Sequence, residues 1–249
     1  MFVRKIDLHF AAKSYLDAQQ SVVVVIDVLR ATSTIAAALA NGCRSIIPAA
    51  GINKALSTAA RLKNVLLAGE RNARKPSYFD LGNSPLEFKP EIVSGKTIVL
   101  TTTNGTRALV SVQNASEIIM ASFLNFDVVL QDLLRRQEDI LLYCAGNDGA
   151  FSLEDTLCAS LLIRRLIQSK KDHQLSDAAR WALDALEMRF KKEKNSLQEL
   201  ILSVVSQSAH AQKLKALHLE EDIIYCCQLN RYSVVPVWDS SNSIKSKNL

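Results

Sequence analysis

Residues 21–42 read SVVVVIDVLRATSTIAAALANG. The β-branched run at 21–26 is continuous rather than alternating, as expected of a strand covered on both faces. Asp27 closes it. Residues 31–39 then follow a helical pattern, and Asn41-Gly42 stands where helices end. The same unit of strand, polar turn and helix recurs along the chain. SIIPAA (45–50), INKALSTAARLK (52–63) and NVLLAGE (64–70) read as strand, helix and strand. TIVLT (97–101), EIIMAS (117–122) and DILLYCAG (139–146) are further strand candidates, with helix candidates at 105–113 and 126–136. This alternation predicts a three-layer α/β/α fold around a mostly parallel sheet.

Glycine divides the chain by texture. All eight glycines lie at or before residue 149. Beyond residue 152, LEDTLCASLLIRRLI (153–167), SDAARWALDALEMRF (176–190) and LQELILSVVSQSAHAQKLKAL (197–217) carry apolar residues at helical spacing. SVVPVW (233–238) reads as a short strand. No low-complexity linker or solenoid period separates the two textures. The expected organisation is one α/β domain over residues 1–249, with a helix-rich section at about 152–230.

A net charge of +5 is mild and its carriers are scattered, the densest run being RFKKEK at 189–194. With no Cys/His finger spacing and no aromatic-basic RNA motif, nucleic-acid binding is not expected. A positive surplus suits a small anionic substrate. The longest apolar run, residues 22–26, is far too short to span a bilayer, and Asp7 and His9 interrupt any signal-peptide pattern. The five cysteines form no CxxC pair and are expected to be reduced and buried, so the reading is cytoplasmic, with no membrane partner. The oligomeric state stays open, a homodimer being one option.

In parallel α/β sheets, ligands gather beyond the carboxyl ends of the strands. After the first strand comes DVLRATST (27–34). Asp27 there needs a cation or donors to offset its desolvation, and Arg30, Thr32 and Ser33 stand at a helix start that favours anions. TTTNGTR (101–107) places Thr102, Thr103, Asn104, Gly105, Thr106 and Arg107 after another strand. Hydroxyls, an amide, bare N–H groups and a guanidinium make an anion cradle, and Gly105 permits close backbone approach. At the third junction, AGNDGAFSLED (145–155), Ser152 reads as an N-cap with Asp155 at the capping-box offset. Glu154 and Asp155 are also hard oxygen donors of the kind Mg²⁺ takes. GERN (69–72) follows a fourth strand and opens a long polar loop that includes Asn83-Ser84-Pro85. Acidic groups for a metal beside arginines and hydroxyls for oxyanions point to phosphoryl chemistry. Of the four histidines, His210 is the one to watch.

Five ordered motifs, DVLRATST, GERN, FDLGNSP (79–85), TTTNGT and AGNDGAFSLED, resemble the 2-phosphosulfolactate phosphatase family over about residues 22–160. The likeness continues more loosely through SAHAQKL (208–214) and DIIYCCQLN (222–230). Tyr78 departs from the pattern, standing where the family usually has glycine. The resemblance implies an α/β/α fold and Mg²⁺-dependent hydrolysis of 2-phosphosulfolactate to sulfolactate and phosphate, within sulfolactate or coenzyme M metabolism. On this reading some of Asp27, Glu70, Glu154 and Asp155 hold Mg²⁺, while Arg30 and Arg107 neutralise the phosphoryl oxygens. Arg71, Asn83 and Ser84 are the expected holders of the sulfonate and carboxylate. The attacking group is either water or Asp27 itself, with water preferred. The alternatives are a phosphatase for another small phosphorylated hydroxy acid and a non-catalytic anion-binding protein.

Overall fold

The computed structural model describes residues 3–169, 172–192, 196–238 and 242–247. Residues 193 and 194 of the basic run lie outside them. The strands are β1 (Arg4–His9), β2 (Ser21–Ile26), β3 (Ser45–Pro48), β4 (Val65–Gly69), β5 (Thr97–Thr101), β6 (Glu117–Ala121), β7 (Asp139–Cys144), β8 (His173–Leu175), β9 (Pro236–Trp238) and β10 (Ile244–Ser246). The first helices are α1 (Ala31–Ala40), α2 (Ile52–Ala59), α3 (Pro90–Val93), α4 (Gly105–Ser111) and α5 (Phe126–Arg135). The helix-rich section contributes α6 (Leu153–Ile167), α7 (Asp177–Lys192), α8 (Leu197–Val205), α9 (Ala209–Lys215) and α10 (Glu220–Cys226).

The continuous apolar run of β2 has the cause its pattern implied. Val22, Val24 and Ile26 face a core closed by α5, α6 and the later helices, while Val23 and Val25 face a second core closed by α1 and α4. Both faces of the strand are dry, so neither can alternate with polar residues. Helix α1 is buried along residues 31–39 and packs over β6, β9 and β10. Its run of small residues, Ala36, Ala37 and Ala38, lets it lie close to the sheet and to α4 at once.

All ten strands form one sheet in the order β4-β5-β3-β10-β9-β6-β2-β7-β1-β8. Strands β4, β5 and β3 are mutually parallel, as are β6, β2, β7, β1 and β8. Between these blocks sits the β9–β10 pair, antiparallel within itself, to β3 and to β6. Three successive reversals leave the two blocks running in opposite senses. The three junctions therefore do not share one edge of a single parallel sheet, which corrects the expectation from the sequence. Residues that follow β4 and β5 in one block and β2 and β7 in the other nevertheless line one pocket.

Smaller differences have local causes. The helical stretch at 197–217 is broken at Ser208, whose Oγ accepts the Ala211 N–H (3.1 Å) and starts α9 afresh. Strand β1, RKIDLH, alternates buried and partly exposed residues and carries too many polar groups to stand out by hydrophobicity. Strands β8 and β10 are three residues each, below what periodicity can register. All five cysteines are buried free thiols, and no described helix is long and apolar enough to cross a membrane.

The hairpin joins the blocks through few residues. Ile244 is fully buried and pairs with Ile46 on one side and Trp238 on the other. Ile244→Ala is expected to cost about 2–5 kcal/mol in urea denaturation, the range for a large-to-small change in a packed core. A loss below about 0.5 kcal/mol, the scale of an indifferent surface change, would show that the hairpin does not hold the blocks together.

Candidate active site

Asp27 follows β2 and is 5 % exposed. Its Oδ1 accepts the backbone N–H of Ala31 (3.2 Å) at the start of α1. Thr32 locks the turn beneath: its Oγ1 donates to the Asp27 carbonyl (2.8 Å) and accepts the Asp27 N–H (3.0 Å). Ser33 Oγ likewise donates to the Val28 carbonyl (2.8 Å). The other carboxylate oxygen faces the start of α4. A Cβ on Gly105 would lie 2.8 Å from Asp27 Oδ2 and 2.5 Å from the Ala31 Cβ. Glycine at 105 thus serves close approach, as expected, but what it lets α4 approach is Asp27 and α1.

Glu70, after β4, accepts from Thr103 N (2.7 Å) and Ala73 N (2.7 Å), tying the loop after β4 to the loop after β5. Thr102 and Thr106 cap each other, with Thr106 N donating to Thr102 Oγ1 (3.1 Å) and Thr106 Oγ1 donating to the Thr102 carbonyl (2.6 Å). Asn104 Oδ1 accepts from Asp148 N (3.1 Å), joining the loop after β5 to that after β7. Asp27, Arg30, Glu70, Asn83, Thr102, Thr103 and Asn104 all line one polar pocket, into which Asp148, His210 and Lys213 also project.

Arg30 is buried and held on two sides. Its Nη1 pairs with Asp222 of α10 (2.6 Å) and its Nη2 donates to the Ala73 carbonyl (3.0 Å). Ser84 Oγ donates to the other oxygen of Asp222. Asp222, His210 and Lys213 come from the helical section, where nothing but the SAHAQKL and DIIYCC stretches marked them. Histidine at 210 was singled out there as isolated; the fold places it against Glu154, with Nδ1 3.4 Å from Oε1.

Other expected residues support the pocket from behind. Thr32, Ser33 and Thr106 spend their hydroxyls on the turns. Arg71 donates to the Glu70 carbonyl and to Thr101 Oγ1 (2.9 Å), and Ser84 serves Asp222. Arg107 is exposed and lies beside Gly149, outside the pocket lining. Glu154 turns to His210. Asp155, in the first turn that Ser152 caps, accepts from Val28 N (2.8 Å) and Gly146 N (3.2 Å) and so braces two loops. Glu154 and Asp155, expected among the metal ligands, do not line this pocket; one faces His210 and the other the backbone of two loops.

The charges fit this arrangement. Burial, with repulsion from Glu70 and Glu154, outweighs the nearby His210 and the Ala31 N–H and raises Asp27 from 3.8 to about 6. Burial and the charges of Glu154 and Asp27 push Asp155 up as well. For Glu154, burial alone would do the same, but the hydrogen bond and charge of His210 prevail and hold it below the usual carboxylate range.

Among the described residues no three His, Cys, Asp or Glu side chains converge as in a closed metal cage. Mg²⁺ needs no cage, being held through one or two carboxylates with water and substrate oxygens completing its shell. Asp27 and Glu70 line the pocket and fit that pattern, and a cation there would offset the burial and the repulsion that raise Asp27.

A raised carboxyl pKa stabilises the fold at low pH, and the contribution is lost as pH rises through about 6. At about 1.4 kcal/mol per unit this reaches roughly 3 kcal/mol. In metal-free protein at pH 8, Asp27→Asn is expected to unfold at equal or higher urea than the parent, with the advantage shrinking toward pH 4. Marked destabilisation at pH 8 would make Asp27 a structural cap.

The family model described as 2-phosphosulpholactate phosphatase matches residues 9–241. A relative from Thermotoga petrophila, named probable 2-phosphosulfolactate phosphatase, is 48 % identical over 213 residues, covering 86 % of this chain and 87 % of its own. One from Clostridium botulinum (strain Eklund 17B), of the same name, is 37 % identical over 245 residues, 97 % of this chain and 99 % of its own. A third, from Pseudothermotoga lettingae, is 40 % identical over 227 residues, 91 % and 93 % of the two chains, and carries that name too. The pocket residues after β2, β4 and β5 and those of α9 all fall inside the matched span, and the chain belongs to the 2-phosphosulpholactate phosphatase family.

Proposed function

We propose that the protein hydrolyses 2-phosphosulfolactate to 3-sulfolactate and phosphate with the help of Mg²⁺. The observation that carries this is one pocket in which three carboxylates, four amides, threonine hydroxyls and the fixed guanidinium of Arg30 converge, in a chain of this family.

The phosphoryl group sits against Asp27, Thr103 and Asn104. Arg30, immobilised by Asp222 and the Ala73 carbonyl, keeps its charge beside the phosphoryl oxygens with no reorganisation when the bond breaks. Asn104 has its Oδ1 engaged by Asp148 N, which leaves its amide N–H groups for an oxyanion. Asp27 and Glu70 would hold Mg²⁺, which when bound supplies positive charge to a phosphoryl oxygen. The carboxylate of Asp27 orients the attacking water.

For the sulfonate and carboxylate, Asn83 of the expected residues lines the pocket, while Arg71 and Ser84 bond Thr101 and Asp222. Asn83 stands in the wall shared with an adjoining cavity of about 450 Å³ that Arg74 and Lys75 also line. These groups extend over Asn83 toward those cations.

Phosphate release over a panel of 2-phosphosulfolactate, phospholactate and phosphoglycolate, with Mg²⁺ or with chelator, tests the reading. The expected result is highest kcat/KM for the sulfonated ester, loss of turnover with chelator, and a drop of about 10³-fold for Asp27→Asn, several kcal/mol of charge stabilisation. No turnover of any ester would leave an anion-binding protein; equal turnover would point to another hydroxy acid. Borohydride trapping is expected to leave Asp27 unmodified, and a reduced Asp27 would show direct attack.

A further inference from the structure

The charges gathered on the phosphoryl group leave one requirement unmet. The leaving oxygen belongs to an ordinary secondary alcohol, a poor leaving group unless a proton reaches it as the bond breaks. Asp27 and Glu70 are assigned to the cation, Asp148 is tied through its backbone N–H to Asn104, and Arg30 does not give up a proton. The pocket also holds two basic side chains that can carry a proton, Lys213 and His210, both on α9.

Lys213 is exposed, whereas the His210 side chain is only 15 % exposed. Its Nδ1 lies 3.4 Å from Oε1 of Glu154, whose side chain is 2 % exposed and sits in the first turn of α6. That distance is long for a hydrogen bond, as such contacts often are before substrate tightens them. Carboxylate, imidazole and pocket are thus arranged from the interior outward. With Nδ1 occupied, Nε2 is the nitrogen left to serve the pocket, and the carboxylate fixes tautomer and ring orientation. A buried carboxylate without its partner would be an uncompensated charge, so its place behind the ring calls for a role.

We propose that His210 is the general acid that protonates the leaving oxygen, and that Glu154 is its positioning residue. This rests on the phosphatase reading above. The bond from phosphorus to the ester oxygen breaks with its electron pair going to that oxygen, which takes the Nε2 proton of His210. The bond from phosphorus to the water oxygen forms, and both water protons leave on dihydrogen phosphate. One is lost to solvent, and His210 regains a proton from solvent. The charges around the ring are Glu154 from α6, Asp27 after β2, Glu70 after β4, Asp148 after β7, Arg30, and Lys213 on its own helix.

The test compares substrates whose leaving groups differ in their need for a proton. With Mg²⁺ present, His210→Gln is expected to lose about 10²–10⁴-fold in kcat on 2-phosphosulfolactate but under about fivefold on p-nitrophenyl phosphate, whose leaving group departs unaided. Glu154→Gln is expected to show the same split, with a larger loss of kcat on 2-phosphosulfolactate than on p-nitrophenyl phosphate, because the ring is no longer held by its carboxylate. If His210→Gln does not fold, the split in Glu154→Gln decides. Equal losses on both esters in a folded variant overturn the proposal while the phosphatase reading stands. A parent protein that turns over neither ester overturns both.

Discussion

A buried carboxylate placed between two helix N-termini governs this structure. Asp27 is taken from water at the end of a dry strand, and its charge is met by the Ala31 N–H of α1 on one oxygen and by the approach of α4 on the other. Helix N-termini favour anions, so each helix start lowers the cost of burying the charge. The offset is incomplete, since Asp27 stays raised to about 6. A cation held beside Asp27 and Glu70, as proposed, would recover part of what burial took.

Meeting at Asp27 demands an unusual sheet. The two helices follow β2 and β5, which belong to blocks of opposite sense, and among the described residues the β9–β10 pair joins those blocks edge to edge. Residues after the strands of both blocks line one pocket, and α1 packs across the join, on β6, β9 and β10. Three loops then knit the floor of the pocket, Glu70 to Thr103 and Asn104 to Asp148 being the stitches. Gly105 is where side-chain volume would force the halves apart.

The β-strand–helix units were legible because their strands are dry on both faces and their helices end at glycine or polar turns. SVVVVID and TIVLTTTNG each announced a strand and the polar junction after it. Block direction was not legible: it depends on Pro236–Trp238 and Ile244–Ser246, too short to show any period. Asp27, Glu70 and the Thr102–Asn104 turn could be found because they follow strands. His210, Lys213 and Asp222 could not be placed, since on amphipathic helices they look like any polar face. Arg107, Arg71 and Asp155 show the converse. Residue type and position suited a site, yet one faces outward and the others are taken up by backbone and hydroxyl partners that sequence does not reveal.

The helical section therefore does more than cover the sheet. Helix α10 supplies the anion that fixes Arg30, and α9 brings a histidine backed by a buried glutamate to the opposite wall. Strand ends from two blocks make the floor, and on the proposed mechanism these helices make the side from which the leaving group departs. A crystal structure with magnesium and phosphate bound tests this convergence most directly. Phosphate is expected between Asp27, the Thr103–Asn104 turn and Arg30, with magnesium on Asp27 and Glu70. Phosphate bound only in the adjoining cavity at Arg74 and Lys75, with Asp27 untouched, would contradict it.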